Sequence, residues 1–428
     1  EPSDIDTALL DLERTGAIMR GEFLPGAQWC ERALLARIHR HTLDRLRREI
    51  EPVTAAQFAQ FLTRWQRAHP DRRMDGVEGL FAVIEQLAGY AVPARSWEPD
   101  VLAMRMRSYD PSWLDGLCLM GRVAWSRPPG RSSGTSPVGS TPIVVAPRSS
   151  LSFWFRTEGD EVLEPLGHEA EAVLGALHGA GALFFDDLVS RTHLLATRVE
   201  QALGELVAKG LVRSDAFDGL RSLVAAPDRR PRARSRGRLG PGRGAVPTGR
   251  WTTVENGIGG NPDDALEFVA ERLLKRWGVV FRRMTDVEGQ LPPWRDLLRV
   301  YRRWEARGDI RGGRFVEGFA GEQFALPEAV TDLRSTRRSG AEGVYLSVSA
   351  ADPLNLTGFI VPGDRVPSLS GNRLLLLDGV PVAALEKREV RWFGAPPEGV
   401  LRPFELEKML RRREQRPTNG TTGASGRP

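Results

Sequence analysis

The feature that most constrains the fold is a short segment that occurs three times with the same spacing. Its copies begin at Leu9, Leu203 and Tyr301, and in each of them a Gly and then a Phe follow at identical intervals. The residues before each Gly have the apolar spacing of an amphipathic helix, and Gly suits the left-handed residue that ends one. A short strand pattern follows the Gly. Each copy therefore predicts the last helix and the wing of a winged-helix fold.

The second copy is preceded by the remaining helices of such a fold. Apolar spacing predicts helices over Ala170–Leu177 and Asp186–Ser190. Thr192 is suited to cap the long helix that ends at Lys209. In helix-turn-helix folds, this last helix enters a nucleic-acid groove.

The third copy follows helical patterns over Ala265–Trp277 and from Pro292 to Arg307. Nothing comparable precedes the first copy, so the chain is expected to begin inside a domain. Some winged helices contact proteins instead of nucleic acid, so both roles stay open at this point.

A mostly helical block occupies residues 27–126, between the first and second copies. Its first helix has one apolar face and one basic face. The apolar face holds Leu35, Ile38, Leu46 and Ile50, and the basic face holds Arg37, Arg40, Arg47 and Arg48. A basic face with few acids suits a phosphate backbone, and the alternative is a solvated surface. Trp29 lies in the junction before this helix, where its indole either stacks on a nucleobase or packs in the core.

Two low-complexity segments predict linkers. Residues 127–140 are rich in Pro, Gly and Ser, and residues 229–250 contain eight Arg and no acid. After residue 341 the pattern changes to strands, over Val344–Ser349, Gly358–Val361 and on both sides of Asp378-Gly379, a dipeptide favoured in hairpin turns. These strands predict a small sheet or barrel. A helix over Leu401–Arg413 and a disordered tail are expected to follow.

Composition limits the function classes. The 428 residues suffice for two to four domains, and no apolar stretch of about 18 residues is present to span a membrane. The chain has no Walker-type phosphate loop, its six His have no metal-ligand spacing, and no cofactor is predicted. With only Cys30 and Cys118, a disulfide framework is excluded. Because neither a membrane span nor a secretory signal is recognised, a cytoplasmic location is expected. Of the 60 basic residues, 56 are Arg, and the net charge of +5 permits nucleic-acid binding without requiring it.

One segment of the strand-rich region is a candidate for catalysis. Asp352 ends a strand at an Asp-Pro turn, and Asn355 lies on the same turn. A carboxylate there could stabilise the cation formed when a base leaves its sugar, and Asn355 could contact the base or a phosphate. The alternative is structural, because the carboxylate of an Asp-Pro turn routinely caps nearby amides.

Several longer blocks resemble the large helicase-related family, Lhr, and they extend over nearly all of the chain to about residue 410. The blocks are Trp29–Arg40, Arg48–Pro52, Trp97-Glu-Pro, Tyr109–Cys118, Gly249-Arg-Trp251, Phe315–Gly318, Gln323–Pro327 and Ala351–Asn355. Members of that family are ATP-dependent superfamily 2 helicases with two RecA-like domains, a winged helix and a helical signature domain. This chain resembles the part that follows the RecA pair.

The resemblance also has implications for individual residues. It implies that Trp29, at the entry to the signature domain, stacks on a base. The C-terminal part of the family is similar to winged-helix DNA glycosylases, which use a Gln and a catalytic Asp, and uracil excision has been attributed to it. By that resemblance Asp352 is the acid, while Ala350 stands at the position of the Gln.

Together these observations predict an α+β multidomain protein with winged-helix modules, a helical signature domain and a small C-terminal β-barrel or sheet. The expected order is the end of a winged helix (1–26), the signature domain (27–160), a winged helix (161–228), the basic linker (229–250), a second C-terminal winged helix (251–335), the barrel (336–400) and a terminal helix with its tail (401–428).

The expected function is DNA repair. The predicted partners are single-stranded DNA or an RNA–DNA hybrid, the RecA-like motor domains that this chain lacks, and further copies of the chain in a homo-oligomer. No membrane partner and no metal are predicted, and uracil excision is the candidate activity. Two other classes remain open: a structural module that assembles the helicase, and a winged-helix transcription regulator.

Overall fold

The computed structural model describes residues 2–22, 26, 28–48, 50–128, 138–154, 165–225, 249–254, 261–289, 291–395 and 401–411. Within these ranges, helices alternate with small antiparallel sheets, which confirms the predicted α+β fold with winged-helix modules. None of the helices in these ranges has the length and apolar character to cross a membrane.

The N-terminal part consists of helices and one hairpin. Its elements are α1 (Pro2–Arg14), β1 (Ile18–Gly21), β2 (Gln28–Glu31), α2 (Arg32–Arg48) and α3 (Ala55–Trp65). Strands β1 and β2 pair antiparallel, with Arg20 opposite Trp29. A helix followed by two paired strands is the order expected for the last helix and wing of a winged helix.

The first winged helix has a three-stranded sheet in which the third strand lies between the other two. Its elements are α4 (Gly76–Leu87), β3 (Val92–Pro93), α5 (Ala103–Arg105), α6 (Pro111–Leu119), β4 (Val123–Ser126), β5 (Pro142–Pro147) and the short α7 (Leu151–Trp154). A π-helical turn over Trp97–Leu102 precedes α5. The prediction of a mostly helical block missed this sheet, because its strands are short and β4 and β5 are separated by the predicted linker 127–140.

The second winged helix has the same sheet order, β6-β8-β7. Its elements are α8 (His168–Ala180), β6 (Ala182–Phe184), α9 (Phe185–Thr192), α10 (Ala196–Ala208), β7 (Val212–Ser214), α11 (Phe217–Ala225) and β8 (Arg250–Thr253). Both predicted helices before the second copy are confirmed. The predicted cap at Thr192 is wrong, since its hydroxyl donates to the carbonyl of Leu188 within α9 and α10 begins later, at Ala196.

The basic segment 229–250 does not separate two domains. Strand β8, which begins at Arg250, pairs with both β6 and β7, so the segment connects two strands of one sheet. Trp251 therefore belongs to the second winged helix. The predicted boundary had assigned it to the next winged helix (251–335). Residues 226–248 lie outside the described residues.

The third winged helix again places its third strand in the middle, in the order β10-β11-β9. Its elements are α12 (Pro262–Trp277), β9 (Val279–Phe281), a 3-10 turn (Arg282–Asp286), α13 (Trp294–Arg307), β10 (Arg311–Gly313), β11 (Gln323–Ala325) and α14 (Pro327–Ser339). The two helices predicted before the third copy are confirmed.

The recurring Gly has one conformational role in all three copies. Gly16, Gly210 and Gly308 have φ values of 74°, 74° and 86°, and each follows a helix and precedes a strand. Because a side chain makes this left-handed region costly, the repeated Gly ends the helix as predicted. Phe217 and Phe315 are buried after the strands, and Phe23 is not among the described residues.

The C-terminal sheet is an antiparallel meander of β12 (Tyr345–Ser349), β13 (Arg373–Leu377), β14 (Val380–Glu386) and β15 (Glu389–Trp392), followed by α15 (Pro403–Arg411). The hairpin at Asp378-Gly379 is confirmed, with φ values of 48° and 79°. Over the part of the chain described, the sheet stays open, so of the predicted sheet or barrel the sheet is confirmed. The strand predicted over Gly358–Val361 is also wrong, because the Gly358 amide donates to the Val361 carbonyl in a local turn.

The two largest apolar cores of the described residues group the elements differently from their order along the chain. The first and second winged helices share one core, in which the rings of Trp125 and Trp251 meet edge to face at 6.4 Å. Helix α3 instead packs with the third winged helix and the C-terminal sheet around Trp277 and Tyr301. Each buried Trp is worth about 3–5 kcal/mol against Ala, so both cores strongly favour this arrangement.

Candidate nucleic-acid interface

Trp29 lies on a wing strand, whereas the sequence had placed it in a junction. It is half-buried in the middle of β2, and the guanidinium of Arg20 on β1 lies 5.7 Å from its ring centroid. An Arg at this distance is attracted to the face of the ring. The hairpin therefore presents an indole and a cation side by side, a combination that suits a base next to its phosphate.

Two arginines of the predicted basic face are exposed on α2, directly after the hairpin. Arg37 and Arg40 are one turn apart, so they lie on the same side of the helix. Neither has an acidic partner within the described ranges of the chain. Their charges are therefore available to a phosphate backbone.

The apolar face predicted for this helix is only partly covered. Ile38 is 50% exposed, whereas Leu35 and Ile50 are half-buried. The side chains of Leu46 and Arg48 lie outside the described residues.

Arg47 has a different environment from Arg37 and Arg40. Its Nε and Nη2 donate to the two carboxylate oxygens of Glu305 on α13, at 2.8 and 2.5 Å, and Nη2 is 3.5 Å from Glu322. Glu305 is buried, so this bidentate pair attaches α2 to the third winged helix. The Arg47 guanidinium is thus already paired with a carboxylate, which argues against its predicted contact with phosphate.

Asp352 is buried against the first winged helix. Its carboxylate has 0% exposure, and both oxygens accept from Arg105, at 2.7 and 2.9 Å. One of them also accepts from the amide of Leu354 at 2.9 Å. A carboxylate that stabilises a sugar cation must reach the nucleotide, so this enclosed and paired geometry favours the structural alternative.

Asn355 is likewise engaged inside the protein. Its amide nitrogen donates to the carbonyls of Ala350 and Val366, at 2.8 and 2.9 Å, and only 6% of the residue is exposed. Asn355 thus ties the turn after β12 to the loop before β13. The predicted contact with a base or a phosphate is not available to it in this arrangement.

The partner of Asp352, Arg105, was not among the residues predicted from the sequence. Arg105 lies between Met104 and Met106 at the end of an apolar stretch, and it is 0% exposed. An Arg embedded among apolar residues requires a buried anion, which is a signal that the sequence does contain. A second buried ion pair joins the first winged helix to the C-terminal sheet. In this pair the Arg comes from the sheet: Arg373 on β13 donates to Asp100 at 2.7 Å.

Two further kinds of reactive group could contribute chemistry: clusters of metal-ligating side chains and the buried thiol of Cys118. Over the described ranges, no group of three or more His, Cys, Asp or Glu is placed to hold an ion. Cys118 is buried, and burial raises the pKa of its thiol to about 12, so it is not a nucleophile at neutral pH.

Two segments of the chain match family models for the winged-helix domain of large helicase-related protein, at residues 53–144 and 259–344. The Lhr helicase/probable uracil glycosylase of Mycolicibacterium smegmatis is 32% identical, over 89% of this chain and 27% of the relative. The Lhr helicase/uracil glycosylase of Escherichia coli is 26% identical, over 88% of this chain and 26% of the relative. The chain therefore spans about a quarter of the length of these relatives.

Proposed function

We propose that this chain, whose residues 53–144 and 259–344 match winged-helix models of the large helicase-related family, binds nucleic acid and engages single-stranded DNA. The observations that carry the proposal are Trp29 with Arg20 on the wing strands and the exposed Arg37 and Arg40, without acidic partners among the described residues, on α2, the helix that directly follows the strand of Trp29. Three further winged helices with one common sheet order support it, because the fold recurs in nucleic-acid recognition.

The chemistry of this surface suits a flexible strand better than a rigid duplex. An indole accepts any base on its face, and such stacking contributes about 1–3 kcal/mol per base. A base on Trp29 takes either the face opposite Arg20 or the place of Arg20 itself. Arg37 and Arg40, one helical turn apart, then hold the phosphates on either side of that base.

A binding titration tests the proposal. Fluorescence anisotropy with single-stranded, duplex and RNA–DNA hybrid oligonucleotides of one sequence, at two salt concentrations, should give the highest affinity for the single strand. Replacing Arg37 and Arg40 by Ala should weaken binding to every sequence and lower the salt slope by about 0.7 for each lost phosphate contact. Trp29→Ala should weaken binding without changing that slope.

Arg303→Ala is the matched control, because Arg303 already pairs with Glu267 on a different surface. Equal affinity in the wild type, the Trp29 variant and the Arg37/Arg40 variant would contradict the proposed surface. The absence of binding to any oligonucleotide would instead favour the assembly module.

Uracil excision is a second candidate, and it rests on the names of the two relatives, both of which include a uracil glycosylase. Loss of a base builds positive charge on the sugar, which a nearby carboxylate stabilises once the nucleotide has left the stack. If Asp352 is that carboxylate, its contact with Arg105 has to open before the reaction. This requirement makes excision the weaker of the two proposals.

Strand scission revealed by alkali on a uracil oligonucleotide, with EDTA present, tests this candidate. Asp352→Asn alone is ambiguous, because it leaves Arg105 buried without its counter-charge. The double variant Arg105→Gln with Asp352→Asn removes both charges and keeps the core neutral. Cleavage by the wild type and none by a folded double variant would support Asp352. Equal cleavage by both would place catalysis elsewhere, and no cleavage by the wild type would reject excision by this chain.

A further inference from the structure

A cleft of about 760 Å³ opens on the third winged helix, and its lining does not include Trp29. It lies between the start of α13, the start of the 3-10 turn and the loop that joins β10 to β11. Trp294 and Leu298 form its apolar side, and Arg282 and Arg314 lie at its rim. In a winged helix these are the last helix and the wing, the two parts that face nucleic acid.

The charges around this cleft are distributed unevenly. Each exposed arginine of α13 lies within 4 Å of an acid: Arg295 and Arg299 share Asp296, Arg302 pairs with Glu322, Arg303 with Glu267, and Arg307 with Asp309. The exposed face of α13 therefore has little free positive charge.

Arg282 and Arg314 differ from these helix residues. Both are exposed, and the structure gives neither of them an acidic partner among the residues it describes. The remaining charged groups of the cleft are Arg47, which is bound to Glu305, and Glu322, which accepts from Arg302 at 2.5 Å. The free charge of the cleft is therefore positive, and it comes from two separate elements.

Trp294 supplies the aromatic component. It is half-buried as the first residue of α13, and its ring lies 6.1 Å from that of Tyr301, which fixes the side chain from the core. An indole held in this way at the side of a cleft offers a surface on which a planar ring can stack at little conformational cost.

We propose that this cleft is a second binding subsite for single-stranded nucleic acid, in which one base stacks on Trp294 and the flanking phosphates bind Arg282 and Arg314. The inference rests on the proposed function, since it assumes that the chain engages a single strand. The inference adds to the proposed function a second binding position, on the third winged helix. The sequence did not predict this position. A flat duplex end does not enter such a cleft, whereas an unpaired base with its backbone has the required flexibility.

The experiment uses the full chain and a short fluorescein-labelled oligo(dT). Trp294→Ala should weaken binding by roughly 5- to 150-fold with the salt slope unchanged, because stacking releases no counterions. Arg282→Ala combined with Arg314→Ala should lower the slope by about 1.4, the amount for two phosphate contacts on a single strand. Trp294→Phe should retain most of the affinity. Arg307→Ala is the matched control, since it removes an exposed, paired Arg about 20 Å away along the same helix.

A crosslink provides a readout that does not depend on affinity. An oligonucleotide carrying 5-iododeoxyuridine, irradiated on the wild-type protein, should form an adduct that mass spectrometry maps to Trp294. Binding that is unchanged in the Trp294 and Arg282/Arg314 variants, with adducts only elsewhere, would overturn the subsite and leave the proposed function standing. A wild-type chain that binds no single strand would overturn both.

Discussion

Substituting one partner of the Arg105–Asp352 pair should destabilise the protein far more than substituting both. The two side chains have 0% exposure, and they join the first winged helix to the turn after β12. In Asp352→Asn, the guanidinium keeps only neutral partners, the carbonyl of Val101 at 2.9 Å and the amide oxygen of Gln66 at 3.3 Å. In Arg105→Met, the carboxylate keeps only the amide of Leu354.

The magnitude follows from this burial. Leaving one charge of a buried pair without its partner costs about 3–5 kcal/mol, whereas replacing both partners by apolar residues is often neutral or stabilising. At about 2–4 °C per kcal/mol for a unit of 150–250 residues, each single variant should melt roughly 6–20 °C below the wild type. The double variant Arg105→Met with Asp352→Leu should recover most of this loss.

Thermal unfolding followed by circular dichroism, with urea unfolding followed by Trp fluorescence, measures the four proteins of this cycle. The exposed pair Arg307–Asp309 is the reference, because its side chains are 54% and 51% exposed and such pairs contribute at most about 1 kcal/mol. Single variants of Arg105 and Asp352 that also lose less than about 1 kcal/mol would refute the reasoning. That result would mean that Asp352 is not held by Arg105 in solution and that its carboxylate is free for chemistry.

Three further outcomes are expected. Stability to urea should fall as the pH drops below 6.5, because burial lowers the pKa of His69, so that the unfolded chain takes up a proton that the folded chain resists. His69→Gln should remove this dependence, and equal pH profiles would contradict the assignment. Gly379→Ala should unfold in less urea, since a Cβ there would lie 2.4 Å from the backbone of Ala59 and the residue has a φ of 79°; an unchanged midpoint would count against this packing. Arg47→Ala should leave the salt slope of DNA binding unchanged while lowering the melting temperature, because its guanidinium binds Glu305; a smaller slope would show that Arg47 contacts phosphate.

Local structure was the part of the fold that the sequence predicted best. The helices that end at Gly210 and Gly308 and the hairpin at Asp378-Gly379 depend on backbone conformations that Gly adopts more easily than other residues. Such signals act within a few residues and need no tertiary context. Thr192 shows the limit of this reasoning, because a hydroxyl that could cap one helix instead donates to the preceding one.

The candidate site was predicted less well, because its chemistry depends on distant partners. Arg37, Arg40 and Arg47 look alike in the sequence, and only the fold places Glu305 against the third of them. Asp352 similarly had two readings, a catalytic acid or a structural one, until Arg105 was found beside it. The residue types of a site can thus be read from a sequence, whereas the charges that remain free cannot.

The domain boundaries illustrate the same dependence on distant pairing. Stretches rich in Pro, Gly, Ser and Arg usually mark linkers, since they cannot form a core. Here residues 127–140 separate β4 from β5, and residues 229–250 together with α11 separate β7 from most of β8; in both cases the separated strands pair with each other. Because the entropy of closing a loop rises only slowly with its length, a wing tolerates a long insertion without losing its sheet. A winged helix can therefore appear in sequence as two fragments around a linker, and its last strand is then assigned to the wrong domain, as happened to Trp251.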